Sequence, residues 1–369
     1  MARHYLDHAS TSPLRPAARR ALIETLDRAL GDPGRIHEEA LTARALLEHA
    51  REQVAAALGA RPREVSFCSG ATEAIATVCA GVGSRGSRQI VVATEHSAVR
   101  LAAERAGEVT AVPVDRLGRV DPDAIAAALG PDVSVVHVQW GNHETGVVQP
   151  VHEVVEVCAG TDTLVHVDAA QAAGRQDLDF AGLGADLMSI SSHKIGGPVG
   201  IGALLVRRGL RIDPLLLGGD QERARRAGLE DVAAATAFGA TVASVDIAAE
   251  AAEQARLRRR VDQLFIATDG VTPVGDPDHR LPHIAAATIG DVEPQAVLLG
   301  LDRAGIAAHS GSACSSESLE PSPVLEAMGV DAHHSLRIST GWSTTDADID
   351  ALEPALPRVL EELRALRPI

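Results

Sequence analysis

An α/β fold, with a mostly parallel sheet flanked by helices and a smaller α+β part after it, is what the chain predicts from three observations. From about residue 60 onward, short β-branched runs alternate with alanine-rich stretches at helical spacing, the pattern of βαβ units. Near residue 245 the alternation stops, and a long helical stretch leads into shorter strands and helices. The length, 369 residues, exceeds one minimal domain and suits two that share an interface.

The elements follow in order. Pro16 stands where a first helical turn tolerates proline, and Leu22, Ile23, Leu26, Ala29 and Leu30 recur at helical spacing over residues 16–30. Strand runs are Ile90–Ala93, Val133–Gln139, Leu164–Val167, Leu187–Ile190 and Ala203–Val206. Between them lie helical segments such as Thr72–Ala80, Ala98–Gly107 and Pro122–Leu129. Thr241–Arg260 reads as one long helix. A terminal helix from about Asp346 would carry Ile349, Leu352, Leu356, Val359, Leu360 and Leu363 on one face, with Pro354 and Pro357 kinking or delaying it. The expected division is a large unit over residues 16–245 and a small one over 246–369, joined by residues 1–15. In sheets of this kind ligands gather beyond the carboxyl ends of the strands.

Composition narrows the functional classes. Hydrophobic residues make up 46% of the chain and aromatic ones 2%, so the core must be packed from Ala, Val, Leu and Ile. A net charge of −16 repels phosphate backbones and anionic membranes, which argues against direct nucleic-acid or membrane binding and for a small-molecule substrate. Cys68, Cys79, Cys158 and Cys314 form no CxxC pair or disulfide framework and read as reduced thiols. The start, MARHYLDHAS, has no apolar secretory segment, and no run of 18 apolar residues occurs, so a soluble cytoplasmic protein is expected. HExxH is absent and His333-His334 reads as a solvated turn, so no metal is expected.

The chemistry-bearing motifs sit just after the strand runs. Ser191-Ser192-His193-Lys194 precedes a glycine-rich stretch, Ile195 to Gly200. A buried ammonium is costly unless used or paired, and a desolvated lysine becomes a Schiff-base nucleophile. The tetrapeptide alone equally fits a surface lysine on a turn. Asp168 ends the apolar run Val165-His166-Val167, where a carboxylate would keep the ring nitrogen of a pyridoxal cofactor protonated. Asp168 alone equally fits a helix cap. Gln171, three residues on, would reach the ring's phenolic oxygen. Ser69-Gly70-Ala71-Thr72-Glu73 opens a helix, a natural phosphate site and also an ordinary N-cap.

These segments, together with Thr94-Glu95-His96-Ser97, Gly141-Asn142-His143-Glu144-Thr145-Gly146, Tyr5 to Pro13, Gly218 to Arg223, Ser310 to Ser316 and Leu336 to Gly341, resemble the cysteine desulfurase family. That family lies in the class V aminotransferase group of fold-type I pyridoxal-phosphate enzymes, and the match runs in order over nearly the whole chain. The resemblance implies a seven-stranded cofactor-binding sheet and pyridoxal 5'-phosphate as cofactor. Lys194 would hold it, with His96 stacked on the ring and able to shuttle protons. Thr72, Ser191 and His193 would hold the phosphate, with Ala71 or Thr72 donating a backbone N–H. Asn142 and Arg337 would bind the substrate carboxylate, where a guanidinium can pair bidentately. Taken alone, Arg337 also fits a buried ion pair and His96 a helix terminus. Cys314, in the Ser/Gly-rich segment HSGSACSSESLEP, would take sulfur from L-cysteine as a persulfide and pass it to an acceptor protein or thiol. Cys79 and Cys158, in apolar surroundings, read as inert, and Cys68 as a neighbour of the phosphate turn. A homodimer is implied.

The match departs at four places. His8 stands where the family typically has Asn, and Ser10 where it has Ala. Leu229 replaces a threonine that reaches across the dimer to the partner's phosphate, and Trp342 replaces an arginine. The rival readings are a selenocysteine lyase or another class V enzyme of the same fold, and a degenerate sulfur-relay scaffold. An aminotransferase would have no need of Cys314, and a scaffold would have lost Lys194 or Asp168.

Overall fold

The structure is a computed structural model that describes residues 3–28, 30–290, 292–311 and 321–366 of the chain. Its centre is a seven-stranded sheet built from β2 (Val65–Cys68), β3 (Arg88–Val92), β4 (Glu108–Val112), β5 (Val133–Gln139), β6 (Leu164–Asp168), β7 (Leu187–Ser191) and β8 (Gly202–Val206). The short β1 (His4–Tyr5) belongs elsewhere, as described below. The spatial order is β2-β8-β7-β6-β5-β3-β4, with β3 to β7 parallel and β8 antiparallel to both neighbours. All residues of β5, β6, β7 and β8 are buried, which is why these strands read as continuous apolar runs rather than alternating ones. The expected fold class is the one observed.

The runs predicted from sequence match the strands to within two residues, while β2 and β4 were not among them. Strand β4 lies at the sheet edge with four of its five residues not buried, so its apolar signal is weak. Gly202, which starts β8, marks a close approach: a Cβ there would sit 2.5 Å from the Ile190 carbonyl and 2.7 Å from Gly70 Cα. The glycine lets the phosphate-type turn at Ser69–Gly70 press against the end of the sheet.

Two sequence expectations are corrected. The single helix over Thr241–Arg260 is two helices, Val232–Ala243 and Ile247–Ala267, bent by 75°. Ser244 Oγ closes the first by donating to the Thr241 carbonyl, and Asp246 caps the second by accepting from the Ala249 N–H at 3.0 Å. The terminal helix, Asp346–Ala365, runs unbroken through Pro354 and Pro357. Both prolines lie on the exposed face, while Ile349, Leu352, Leu356, Val359 and Leu360 are buried and a Thr345–Asp348 capping box fixes the start.

A second hydrophobic cluster gathers Leu6, Leu257, Val261, Phe265, Leu301, Leu336, Ile338, Leu352 and Leu356 around an antiparallel sheet. That sheet is β12-β10-β9, from β9 (Val271–Pro273), β10 (Ile284–Ile289) and β12 (Ser335–Ser339). Strand β1 pairs in parallel with β11 (Ile306–Ala307), tying the N-terminal segment to this part of the chain.

Candidate active site

Every loop that leaves the carboxyl end of β2, β3, β5, β6 or β7 contributes to one cavity of about 400 Å³. Ala71 and Thr72 open the helix Ala71–Gly81 after β2, and His96 follows β3. Gly141 and His143 follow β5, Asp168 and Gln171 close β6, and Ser191, His193 and Lys194 close β7. His309, Gly311 and Arg337 reach the same cavity from the second part of the chain. Nine of the predicted site residues therefore converge: Ala71, Thr72, His96, Asp168, Gln171, Ser191, His193, Lys194 and Arg337, with the flanking turn at Gly70 beside them. Cys314 lies outside the described residues.

Lys194 is half-buried with its amine end turned inward, where Nζ donates to the carbonyls of Ala9 at 2.7 Å and Ser10 at 2.9 Å. Neutral oxygens are weak compensation. Burial first, then Arg337 and Arg175, lower its pKa to about 7. Asp168 Oδ1 accepts from the Ala170 N–H at 3.0 Å within a turn and faces the cavity; no helix starts there, so the helix-cap reading does not hold. Burial holds its carboxyl above the usual aspartate range.

His96 takes its helix-terminus reading and also lines the cavity. Its Nδ1 accepts from the Ala98 N–H at 3.0 Å, capping the helix Ser97–Ala106, while its ring lines the cavity. The proton is therefore on Nε2. Burial, then His143 and Lys194, push its pKa down to about 3. His193 approaches Thr11 Oγ1 at 3.1 Å, and burial followed by Lys194 and Arg175 lowers it to about 4. Gln171 donates from Nε2 to the Ala9 carbonyl at 2.8 Å and meets His283 Nε2 at 3.2 Å.

Asn142 is a correction. Its Oδ1 accepts from the N–H of Glu144 and of Thr145, both at 2.8 Å, and its Nδ2 donates to the Thr94 carbonyl at 3.0 Å. The side chain is buried in its own turn and holds no group out to a carboxylate. It presents His143, which does line the cavity and stands edge-on to His96 with ring centroids 4.8 Å apart. Asn142 and His143 are adjacent in one motif, and of the two only His143 lines the cavity.

Arg337 is both an ion-pair partner and a cavity residue. It donates from Nη2 to Asp7 Oδ1 at 2.9 Å and to Ser10 Oγ at 2.8 Å, and from Nη1 to the His143 carbonyl at 2.7 Å. Ser10, one of the departures, thus helps hold this guanidinium. His8, another, is buried between Ser12 Oγ at 3.0 Å and Thr344 Oγ1 at 3.2 Å. Trp342 donates from Nε1 to the Pro13 carbonyl at 2.9 Å and stacks under the guanidinium of Arg15, 5.5 Å from the ring centroid. Leu229 is 64% exposed.

Glu95 lies in the segment Thr94–Ser97 but carried no signal of its own in the sequence. It is fully buried, accepts from the Gln139 N–H at 2.5 Å, and is held well above the usual glutamate range by burial and by Asp168. The other described thiols are poor nucleophiles. Burial raises Cys68 and Cys79 to about 12 and Cys158 to about 11.

The geometry fits pyridoxal phosphate: a lysine amine with a lowered pKa, a strand-end carboxylate, a helix N-terminus and a cavity of suitable size share one space. The comparisons agree. The family model described as Aminotransferase class-V matches residues 4–352. Cysteine desulfurase IscS 1 of Archaeoglobus fulgidus is 36% identical, with 99% of each chain covered. A NifS-like protein from Rickettsia africae has a solved structure that superposes with a TM-score of 0.90 at 30% identity, covering 97% of this chain and 99% of that one. SspA, solved in complex with cysteine, gives a TM-score of 0.82 at 25% identity, over 93% of this chain and all of the other. The chain belongs to the class-V aminotransferase family. Within it the chain is one of the cysteine desulfurases, which are pyridoxal-phosphate-dependent enzymes.

Proposed function

We propose that the protein takes sulfur from L-cysteine onto Cys314 as a persulfide, leaves alanine, and passes the sulfur to an acceptor protein or thiol. The observation that carries this is Lys194, a buried amine with only carbonyl partners, in one cavity with Asp168, His96 and Arg337.

Pyridoxal phosphate, when bound, supplies an electron-withdrawing ring for charge left at the substrate Cα. The N-terminal N–H groups of the helix Ala71–Gly81, with Thr72, Ser191 and His193, would hold its phosphate. Lys194, with its pKa near 7, is substantially unprotonated at neutral pH. It would hold the cofactor, and its unprotonated amine would take the proton from the substrate Cα. Asp168 would pair with the ring nitrogen. His96 carries its proton on Nε2 and stands ready to pass it across the cavity. Arg337, oriented by Asp7 and Ser10, provides the cation for the substrate carboxylate. Described chain reaches Gly311 on the cavity wall, three residues before Cys314.

A homodimer is supported by apolar side chains in the open: Val199, which lines the cavity, is 74% exposed, and Leu217 is 83% exposed. A cytoplasmic location is supported by free thiols at Cys68, Cys79 and Cys158.

The test is the absorption spectrum of purified protein, then addition of L-cysteine with excess dithiothreitol, which reduces the persulfide, and quantification of alanine and sulfide. A visible band with equal amounts of both products is expected. Cys314→Ser should keep the band and lose persulfide formation. Alanine and sulfide released by Cys314→Ser at the unaltered rate would remove Cys314 from the reaction.

A further inference from the structure

The polar groups do not stop at Asp168. Behind it a line of buried side chains crosses four strands beneath the helix Ala71–Gly81. Ser189 on β7 is paired with Asp168 on β6, and His166 on β6 with His137 on β5. Gln89 on β3 is level with Val135, one row back. Asp168 Oδ1 is 3.3 Å from Ser189 Oγ, and Ser189 Oγ is 3.2 Å from His166 Nε2. His166 Nδ1 is 2.9 Å from His137 Nδ1, and His137 Nε2 is 2.9 Å from Gln89 Oε1. The line ends where Gln89 Nε2 donates to the Cys79 carbonyl at 2.8 Å. Both histidines are fully buried, and burial pushes them far below the usual histidine range, so each ring is neutral with one proton.

Neutral rings give the line a direction. A carbonyl only accepts, so Gln89 turns its amide nitrogen to Cys79 and its oxygen to His137. His137 then donates from Nε2 and accepts at Nδ1. His166 donates from Nδ1 and accepts at Nε2. Ser189 has one hydroxyl proton, and His166 Nε2 requires it. Asp168 Oδ1 therefore meets a lone pair of Ser189, and its donor is the Ala170 N–H. A buried carboxyl short of donors holds its proton more tightly, and that proton can point at the Ser189 lone pair.

We propose that Gln89, His137, His166 and Ser189 form a one-directional hydrogen-bond chain that keeps Asp168 protonated until the cofactor ring enters, which makes the two histidines positioning residues acting through Asp168. The proposal rests on reading Asp168 as the partner of the ring nitrogen. On binding, the carboxyl O–H bond breaks and an N–H bond forms at the ring, so one proton moves and none is gained or lost. The other titratable groups near Asp168 are Glu95 after β3, His143 after β5 and Lys194 after β7, and none belongs to the chain.

Selective 15N labelling of histidine in the full chain reads each tautomer by NMR. His137 protonated at Nε2 and His166 at Nδ1 are expected. Gln89→Leu removes the acceptor that sets the direction, and Gln89 is not a cavity residue. In that variant both tautomers should reverse, Ser189 should donate to Asp168, and the proton affinity of Asp168 should fall about tenfold. The affinity is read by pH titration of the carboxylic-acid infrared band that Asp168→Asn removes. Should Gln89→Leu not fold, Ser189→Ala tests the other end: the tautomers stay, and the affinity falls by a similar factor because the acid loses its acceptor. Opposite tautomers, a doubly protonated ring, or an Asp168 band unmoved in the variants would overturn the chain. Expected tautomers in a protein that gains no visible band with pyridoxal phosphate would uphold the chain and refute the cofactor reading.

Discussion

Lys194 and Arg337 are buried cations in one cavity, and they are held in opposite ways. Lys194, at the end of the large sheet, has two carbonyl oxygens and no carboxylate in hydrogen-bond contact. Arg337, on β12 of the antiparallel sheet, has the Asp7 carboxylate and the Ser10 hydroxyl. Burial without a counter-ion leaves a charge that can be given up near neutral pH, whereas burial beside a carboxylate keeps one in place. One side of the cavity is thus suited to exchanging protons and covalent partners, and the other to recognising a fixed anion.

The largest test of that contrast is Lys194→Ala, which should lower alanine formation from L-cysteine by about 10³-fold or more. Alanine formed at near-normal rate by that variant would remove Lys194 from the chemistry. Stability gives a second test, in cofactor-free protein. Lys194 has a folded pKa of about 7, below its usual 10.5, so the unfolded chain binds more protons between those values. Stability should therefore rise with pH through that window. Lys194→Met removes the penalty and should stabilise the protein by roughly 3–5 kcal/mol at about pH 6, with the gain fading towards about pH 10. Thermal unfolding of both proteins at the two pH values checks this, and a gain independent of pH would mean that the amine is not desolvated in solution.

On the opposing side, Arg337→Lys keeps the charge and loses the planar fork. The KM for L-cysteine should rise about tenfold while kcat changes less. An equal fall in kcat with unchanged KM would place Arg337 in the reaction rather than in binding. The smallest effect belongs to Cys158→Ala, which should leave turnover within about twofold and cost about 1 kcal/mol in unfolding free energy. A large loss of persulfide in Cys158→Ala would contradict the contrast between a buried thiol and Cys314.

The large sheet was legible because β5, β6, β7 and β8 are buried on both faces, and their apolar runs end at the polar residues that face the cavity. Asp168, Ser191, His193 and Lys194 could be placed from chain order alone, since each immediately ends or follows such a run. The edge strand β4 was less legible because its residues are mostly not buried. The bend at Val245 was hidden as well, since helical periodicity continues on both sides and only the Asp246 cap marks the restart.

Asn142 and His143 show where motif reading ends. Both lie in one turn, and which side chain enters the cavity depends on the three donors that Asn142 Oδ1 satisfies within that turn. Local order along the chain settled the fold class, the family and most of the residues at the strand ends, because strand periodicity and terminal motifs are short-range properties. Tertiary packing alone brought Asp7 to Arg337 across 330 residues and His137 to His166 across 29. Those contacts decide which charges stay fixed and which protons are shared, because buried electrostatics depends on neighbours in space rather than along the chain.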